Sequence, residues 1–580
     1  MSIKRAYALY AAFFTIFIIL VAKVAYIQFF SSKSLAESAF HQRLSNNTIE
    51  SLRGNIFDRN GIPFTNREQR YTAFIKSAYV PESVSDRGKV CAALGIEADA
   101  LNNLTAKNNP LTIETNREGS DAILKMNTDW VTIVHSLNRY DSGTLAKHVI
   151  GYLSGKDKIG QAGIEKAYDK ELGNNSTFEI GAVTDASKKP IKGLGYRIKS
   201  WSAEDSLHIK LTLDYHIQKL VEEAMEKNGI SGAVVVEDVV TGDILAMASK
   251  PDFDQESIEN YLNSSGNELF NKATAAYNLG SVFKIIDAAA LYENMDTLQG
   301  KFYKPNQYLS PYMGYDTEYD MNSQVIPEDY FNLDHYECTG SVNINGLIFK
   351  CSSYLSGGHG AMNLEQAFAV SCNSYFIEMS QRIGYKNLIA MAQKFGLGTV
   401  TGISYQGVSE AGGSLPPIDS YYSKADIANL AIGQGVLLAT PLQVADMVAT
   451  VANGGIKNGV NIVDSVVDGE DRVVREVRAE EGKRIISKST ADKIKSLMKA
   501  VTDYGTGKEA GMAYYGGAGG KTGSAETGTK GVVHAWFAGY FPSVEPKYSI
   551  AVFVENGLYG GKTAAPVFAD IAMGMAKLGY

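Results

Sequence analysis

The chain has 580 residues, 45% of them apolar and 20% charged, which excludes a disordered protein and makes more than one folded domain the default expectation. Its formal net charge of -8 excludes the concentrated basic face that binding to nucleic acid requires. Four cysteines in so long a chain are too few for a disulfide framework.

The first element is apolar. Ala6 to Ala22 carries no charge, and after Lys23 the apolar character resumes from Val24 to Phe30. Such a run can cross a bilayer. Lys4 and Arg5 precede it, so the positive-inside bias places a tail of residues 1–5 in the cytoplasm, an anchor at 6–30 and everything beyond on the outer side. A cleaved secretion signal is the alternative, disfavoured by the length of the run and the lack of an A-x-A site.

Next comes Arg53-Gly54-Asn55-Ile56-Phe57-Asp58-Arg59-Asn60-Gly61, in which Asn60-Gly61 between short apolar runs predicts a tight turn. Residues from about 80 to 170 read as mainly helical, with loops at Asn102-Asn103 and Asn108-Asn109-Pro110 and a loop entering a helix over Gly160 to Tyr168. From about 176 to 210 the pattern turns strand-like, with connections at Lys188-Lys189-Pro190 and Lys192-Gly193. These segments form a predicted pedestal over 31–205.

A second body is predicted over 206–580. Asp214 is placed to cap a helix through Gln218, Val221 and Ala224. Gly232 to Asp238 and Ile244 to Ala248, joined at Thr241-Gly242-Asp243, read as a hairpin of buried strands. Strands return from His534 to Val554, and Thr563 to Met575 closes the chain as a helix. Strands at both ends with helices between them predict an α+β body: one antiparallel sheet whose first and last segments pair, flanked by helices.

Three short motifs fall inside this body in order: Ser281-Val282-Phe283-Lys284, Ser371-Cys372-Asn373 and Lys521-Thr522-Gly523. Each alone is weak, since Ser496 to Lys499 is a second S-x-x-K and S-x-N also occurs at Ser45, Ser265 and Ser341. The ordered triple is specific. Ser281 opens a helical run, where free N–H groups point outward, and Lys284 lies one turn on along the same face. A serine hydroxyl needs a base to become a nucleophile, and a lysine serves as that base only when uncharged. Lys521 is the neighbouring cation expected to favour the uncharged form.

S-x-x-K, S-x-N and K-T-G in this order resemble the penicillin-binding proteins, and the Arg53 to Gly61 and Gly160 to Tyr168 segments resemble the pedestal motifs of the class B members. The resemblance implies an N-terminal transmembrane helix, an elongated pedestal and a transpeptidase domain. It implies a serine acyltransferase that cross-links peptidoglycan stem peptides ending in D-Ala-D-Ala, outside a bacterial cytoplasmic membrane, and that β-lactams acylate. Ser281 would carry the acyl group and Lys284 would be its base. Ser371 would pass a proton to the leaving amine, and Asn373 would hold Lys284 and the substrate backbone. Lys521 would supply positive charge, Thr522 and Ser524 would bind the terminal carboxylate, Gly523 would let the substrate approach, and the N–H groups of Ser281 and Ser524 would form the oxyanion hole. No cofactor is expected for catalysis. Partners implied are a membrane glycosyltransferase and other wall-synthesis proteins. A D,D-carboxypeptidase or β-lactamase, and an idle β-lactam sensor or scaffold, are the alternatives.

Cys338, Cys351 and His359, with Asp334 or His335 as a fourth group, make a set that could hold a structural zinc. A Cys338–Cys351 disulfide and plain buried thiols are the competing readings. Cys372 is expected to be a small buried thiol, and His148 and His534 structural histidines.

Overall fold

The structure, a computed structural model, describes residues 3–28, 48–51, 53–76, 80–81, 83–97, 101, 111–141, 143–154, 158–173, 177–182, 196–200, 207–298, 301–303, 331–529 and 531–580, with backbone alone at 3–9, 48–51, 177–182, 196–200 and 302–303. The connections expected at 102–103, 108–110 and 188–193 lie outside the described residues. By its contacts the chain forms two compact units, one of Met1–Gly54, Asn66–Asp141 and Gly173–Ser206, the other of Asn55–Thr65, Ser142–Leu172 and Leu207–Tyr580.

In the first unit, Ile3–Tyr26 is a 24-residue helix, on which Phe13, Phe14, Phe17 and Ile18 are exposed. Among the described residues no helix is long and apolar enough to cross a membrane. The mainly helical reading of 80–170 is corrected. Helices Val84–Leu94 and Arg117–Met126 pack on an antiparallel sheet in which Glu68–Ile75 lies between Leu111–Thr115 and Val131–Asn138. The strands were legible as such: Leu111-Thr-Ile-Glu-Thr and Val131-Thr-Ile-Val are rich in β-branched residues, whose stiff χ1 suits a pleated surface better than a helix. Ala73, Ile75, Val90, Leu94, Ile123 and Trp130 form the core between sheet and helices. A second sheet joins Thr48–Ser51, Thr177–Ala182 and Tyr196–Ser200.

The second unit is built on a five-stranded antiparallel sheet ordered Ile244–Lys250, Gly232–Asp238, Tyr548–Val554, Val533–Phe541, Gly519–Glu526. The expected pairing of first and last segments holds, with Val236 opposite Ile550. One face buries Val234, Val236, Phe537 and Val552 against Ile217, Val221 and Met225 of helix Tyr215–Lys227 and Phe568 and Ile571 of helix Gly560–Leu578. The opposite face carries helix Pro441–Ala452, where Ser549 Oγ donates to the Ala445 carbonyl at 2.9 Å.

The Asn60-Gly61 turn belongs to this unit. Asp58 Oδ1 accepts from the amides of Asn60 and Ile62 at 2.7 Å, and Gly61 takes φ +86°, a conformation that glycine adopts without a Cβ penalty. Strand Ile56–Phe57 runs parallel to His208–Leu211, and Asn60 Nδ2 donates to Asp214 Oδ2 at 3.0 Å. Asp214 is the expected cap: its Oδ1 accepts from the amides of His216 at 2.9 Å and Ile217 at 3.2 Å.

Candidate active site

Ser281 sits in a tight 3-10 turn, Gly280–Phe283, that runs into helix Lys284–Glu293. Gly280 adopts φ +56°, and a Cβ there would lie 2.5 Å from the Ser524 carbonyl oxygen. Only glycine fits a left-handed residue so close to a neighbouring strand.

The helix carries Lys284 inward, fully buried. Its Nζ lies 3.1 Å from Ser281 Oγ, 2.8 Å from the Ser371 carbonyl oxygen, 2.8 Å from Asn373 Oδ1 and 3.2 Å from Ser371 Oγ. The two shortest contacts are to oxygens that can only accept. They take the two hydrogens of a neutral amine and leave its lone pair for the Ser281 hydroxyl. Burial is the main cause that lowers the Lys284 pKa, to about 8.

Ser371 holds the far side of the cluster. It adopts φ +57°, a left-handed conformation that costs a non-glycine residue about 1–3 kcal/mol and persists where surrounding structure imposes it. Lys521 Nζ donates to Ser371 Oγ at 2.9 Å and to the Thr522 carbonyl at 3.1 Å. Burial, and after it the nearby Lys284, pushes the Lys521 pKa well below the ordinary lysine range. Ser281, Lys284, Ser371, Asn373 and Lys521 therefore meet in one hydrogen-bonded chain, as their motifs predict. For Lys284 it is burial, more than a neighbouring cation, that favours the uncharged form.

Lys521 to Ser524 lie on Gly519–Glu526, the edge strand of the sheet, so among the described residues one side of this strand has no sheet partner and can pair with an extended peptide. The space beside Gly523 is protein: a Cβ would lie 2.9 Å from both the Leu279 carbonyl oxygen and Val282 Cγ2. Its missing side chain thus lets the nucleophile turn close onto the strand. Thr522 Oγ1 lies 2.6 Å from Thr506 Oγ1, and Ser524, exposed, accepts from the Gly560 amide at 3.4 Å. Trp536 Nε1 donates to the Asn278 carbonyl at 3.0 Å and ties the next strand to the segment before Ser281. Asp287, one turn beyond Lys284, is fully buried with Oδ1 accepting from Ser380 Oγ at 3.3 Å. Thr506 and Asp287 belong to no motif of the sequence, and nothing local announces them.

One residue away stands a second cluster. Cys338, Cys351, His359 and Cys372 bring their ligand atoms within 4.8 Å of one another. The fourth group is Cys372, the middle residue of S-x-N, and the alternatives Asp334 and His335 are exposed outside the cluster. Cys372 is buried as expected, but three other positions, Cys338, Cys351 and His359, converge on it, a placement no local pattern encodes. Cys338 Sγ lies 3.8 Å from Cys351 Sγ and both thiols are free, so the disulfide is not formed. Cys351 Sγ lies 3.7 Å from Cys372 Sγ, and Cys338 Sγ lies 3.5 Å from His359 Nδ1. The hydrogen bond from Cys372, with help from His359 and from the hydroxyl and amide of Ser374, draws Cys351 down to about 3, and the same contact raises Cys372. Hydrogen bonding to Cys351 raises His359. The cluster favours anionic sulfur. His148 is structural: Nε2 meets the Glu268 carbonyl at 2.7 Å, its ring stands edge-on to Phe253, and burial lowers its pKa to about 4.

Comparison with known proteins agrees with this geometry. The penicillin binding protein transpeptidase domain matches residues 232–326 and 321–573, and the penicillin-binding protein dimerisation domain matches 48–193. The chain is 27% identical over 586 residues to Stage V sporulation protein D of Bacillus subtilis, covering 96% of this chain and 83% of that protein. It is 26% identical over 587 residues to peptidoglycan D,D-transpeptidase FtsI of Escherichia coli, covering 96% of this chain and 89% of that protein. Among solved structures, penicillin binding protein 3 of Mycobacterium tuberculosis complexed with aztreonam shares the fold with a TM-score of 0.60 at 23% identity, covering 91% of this chain and 96% of that one. A peptidoglycan synthase complex chain, described for the coordination of polymerization and crosslinking, matches with a TM-score of 0.69 at 23% identity, covering 99% of this chain and 98% of that one. The chain belongs to the class B penicillin-binding proteins, enzymes with a D,D-transpeptidase domain.

Proposed function

We propose that the protein cross-links peptidoglycan stem peptides by acyl transfer through Ser281. The single observation that carries this is the Lys284 amine, with two accept-only oxygens at 2.8 Å and Ser281 Oγ at 3.1 Å. Ser281 Oγ attacks the carbonyl of the penultimate D-alanine while its proton passes to Lys284. The peptide bond breaks, the proton passes through Ser371 to the departing D-alanine amine, and a serine ester remains. An acceptor amine then attacks the ester, loses a proton by the reverse route, and Ser281 recovers its hydrogen. Asn373 orients Lys284, and Lys521 directs a hydrogen toward Ser371. Thr522 and Ser524 bind the donor carboxylate, and the amides of Ser281 and Ser524 face the developing oxyanion. β-Lactams acylate Ser281 by the first half of this route. Intact-mass measurement after incubation with a penicillin, on the wild type and on Ser281→Ala, is the test. One covalent adduct on the wild type and none on the variant is expected, and an adduct on Ser281→Ala sinks the assignment. Product analysis with donor and acceptor stem peptides separates cross-linking from hydrolysis, the carboxypeptidase outcome in which water takes the acyl group.

The run Ala6 to Ala22 supports an N-terminal membrane anchor that leaves the pedestal, 31–205, and the transpeptidase domain, 206–580, on the outer side. Membrane fractionation of the full chain tests it, and full release by salt alone refutes it. The likeness to a peptidoglycan synthase complex supports a membrane glycosyltransferase as partner.

The Cys338, Cys351, His359 and Cys372 cluster is read as a structural zinc site. Zinc at about 2.3 Å from sulfur and about 2.0–2.1 Å from nitrogen in a tetrahedron demands ligand separations of about 3.8 Å for S–S and about 3.5 Å for S–N. The measured 3.8, 3.7 and 3.5 Å fit these edges. Zinc here would brace the backbone that carries Ser371 and Asn373, with no part in acyl transfer. Elemental analysis beside thiol titration is the test: one zinc per chain is expected, and four titratable thiols with no metal refute it.

A further inference from the structure

Thr506 lies on no motif, yet it touches both walls of the cleft. On one side its amide donates to the Ala369 carbonyl at 3.0 Å, and its hydroxyl lies 3.3 Å from the same oxygen. Ala369 ends helix Leu364–Ala369, two residues before Ser371. On the other side Thr506 Oγ1 lies 2.6 Å from Thr522 Oγ1 on the edge strand. The flanking glycines make the approach possible: a Cβ on Gly505 would lie 2.3 Å from the Ala369 carbonyl oxygen, and one on Gly507 would lie 2.9 Å from the Phe537 ring. Thr506 is exposed, whereas Thr522 is buried.

Hydrogen counting gives this arrangement two states. A hydroxyl has one hydrogen to donate and can also accept. When Thr506 donates to Ala369, the 2.6 Å contact requires Thr522 to donate to Thr506, and the Thr522 hydrogen is turned away from the cleft. When Thr506 donates to Thr522, the Thr522 hydrogen is free for an anion in the cleft. Charge on the acceptor strengthens the last bond, and each bond in such a chain polarises the next.

We propose that Thr506 is a positioning residue for donor recognition, turning the Thr522 hydroxyl toward the terminal carboxylate of the stem peptide. Selectivity for a free C-terminal carboxylate over a neutral terminus then resides in the Thr506–Thr522 pair rather than in Thr522 alone. This rests on the reading that Thr522 binds the carboxylate.

The full-length protein is assayed for acylation with an N-acylated peptide ending in D-Ala-D-Ala and with the same peptide as its C-terminal amide. Thr506→Val should raise KM for the carboxylate peptide about three- to tenfold with kcat within about twofold, since one charge-assisted step of the chain is lost. It should leave the amide peptide unchanged, and Thr506→Ser should restore the wild-type KM. The double variant Thr506→Val/Thr522→Val should be no worse than Thr522→Val, because both act on one bond. A Thr506→Val loss that is equal on both peptides, or that adds to the Thr522→Val loss, overturns the proposal. If Thr522→Val itself fails to distinguish carboxylate from amide, the reading beneath it fails instead.

Discussion

Two buried clusters stand side by side at the S-x-N loop and treat charge in opposite ways. Around Ser281 are two lysines that burial makes reluctant to hold charge, with Lys284 brought to about 8. Around Cys351 are the Cys372 thiol and, after it, a histidine, a hydroxyl and an amide that draw its thiol down to about 3. Burial acts on both, and it always disfavours the charged form. What differs is the supply of donors. The thiol cluster contains several hydrogens aimed at sulfur, enough to outweigh burial. The amine cluster offers Lys284 only oxygens at hydrogen-bond distance and no contacting carboxylate, so burial prevails. One cluster therefore favours a neutral amine and the other anionic sulfur, and Cys372 lies between Ser371 and Asn373 in the chain.

The sharpest break in that comparison is Lys284→Met, which keeps the apolar stem and removes the base. The acylation rate with a penicillin should fall about 10²–10⁴-fold, the usual contribution of a positioned base. Zinc content should be unchanged, because no ligand of the thiol cluster is touched. Stopped-flow acylation beside elemental analysis checks both, and a loss of metal would mean that the two clusters are one structural unit.

The pH profile follows from the same residue. Lys284 must be neutral to accept the Ser281 proton, and its pKa is lowered to about 8. Below that value the protonated, inactive form dominates, so acylation should rise about tenfold per pH unit from pH 6 toward 8, then level off. The direction follows from the charge type: a base works above its pKa. A profile flat from pH 6 to 9 would assign the proton to another group.

Cys351→Ser probes the other side. It removes one member of the proposed zinc set and the sulfur that accepts from the Ser374 amide at 3.2 Å. Loss of zinc with a reduction in acylation of about 10–100-fold is expected, the size usual for groups that hold a site in register without reacting. Elemental analysis and the acylation rate read the two effects separately. An unchanged rate in the metal-free variant would show that the S-x-N backbone holds its left-handed Ser371 without the cage.

How much of this was legible in the sequence depends on how local each feature is. Ser281 and Lys284 are one helical turn apart, so their contact follows from spacing. The Asp214 cap follows from its place before an apolar-periodic run. Cys372 was read as an inert thiol because its partners lie 34, 21 and 13 positions away at Cys338, Cys351 and His359, and only folding brings those segments together. Thr506 was missed for the same reason, since its meaning depends on Ala369 and Thr522. The strands of the first unit were missed differently. Leu111–Thr115 stands between helices Val84–Leu94 and Arg117–Met126, and Val131–Asn138 follows the second helix, so both short strands are masked by the helical period of their neighbours.

The smallest effect is expected farthest from both clusters, and it shows that the comparison concerns local chemistry and not overall stability. Asp214 caps helix Tyr215–Lys227 through two amides and accepts from Tyr580 at 2.8 Å. Asp214→Ala removes the cap, for which about 1 kcal/mol is typical, and leaves the Tyr580 hydroxyl and Asn60 amide without this acceptor. Denaturant unfolding should report a loss of about 1–2 kcal/mol, a lost cap together with hydrogen bonds left unmade by half-buried and exposed partners. Acylation at 25 °C and zinc content should match the wild type, because no group in either cluster contacts Asp214. A fall in acylation rate without unfolding would mean that the helix transmits strain to the nucleophile turn through the sheet, and the chemistry of the cleft would then depend on packing well beyond the residues that touch it.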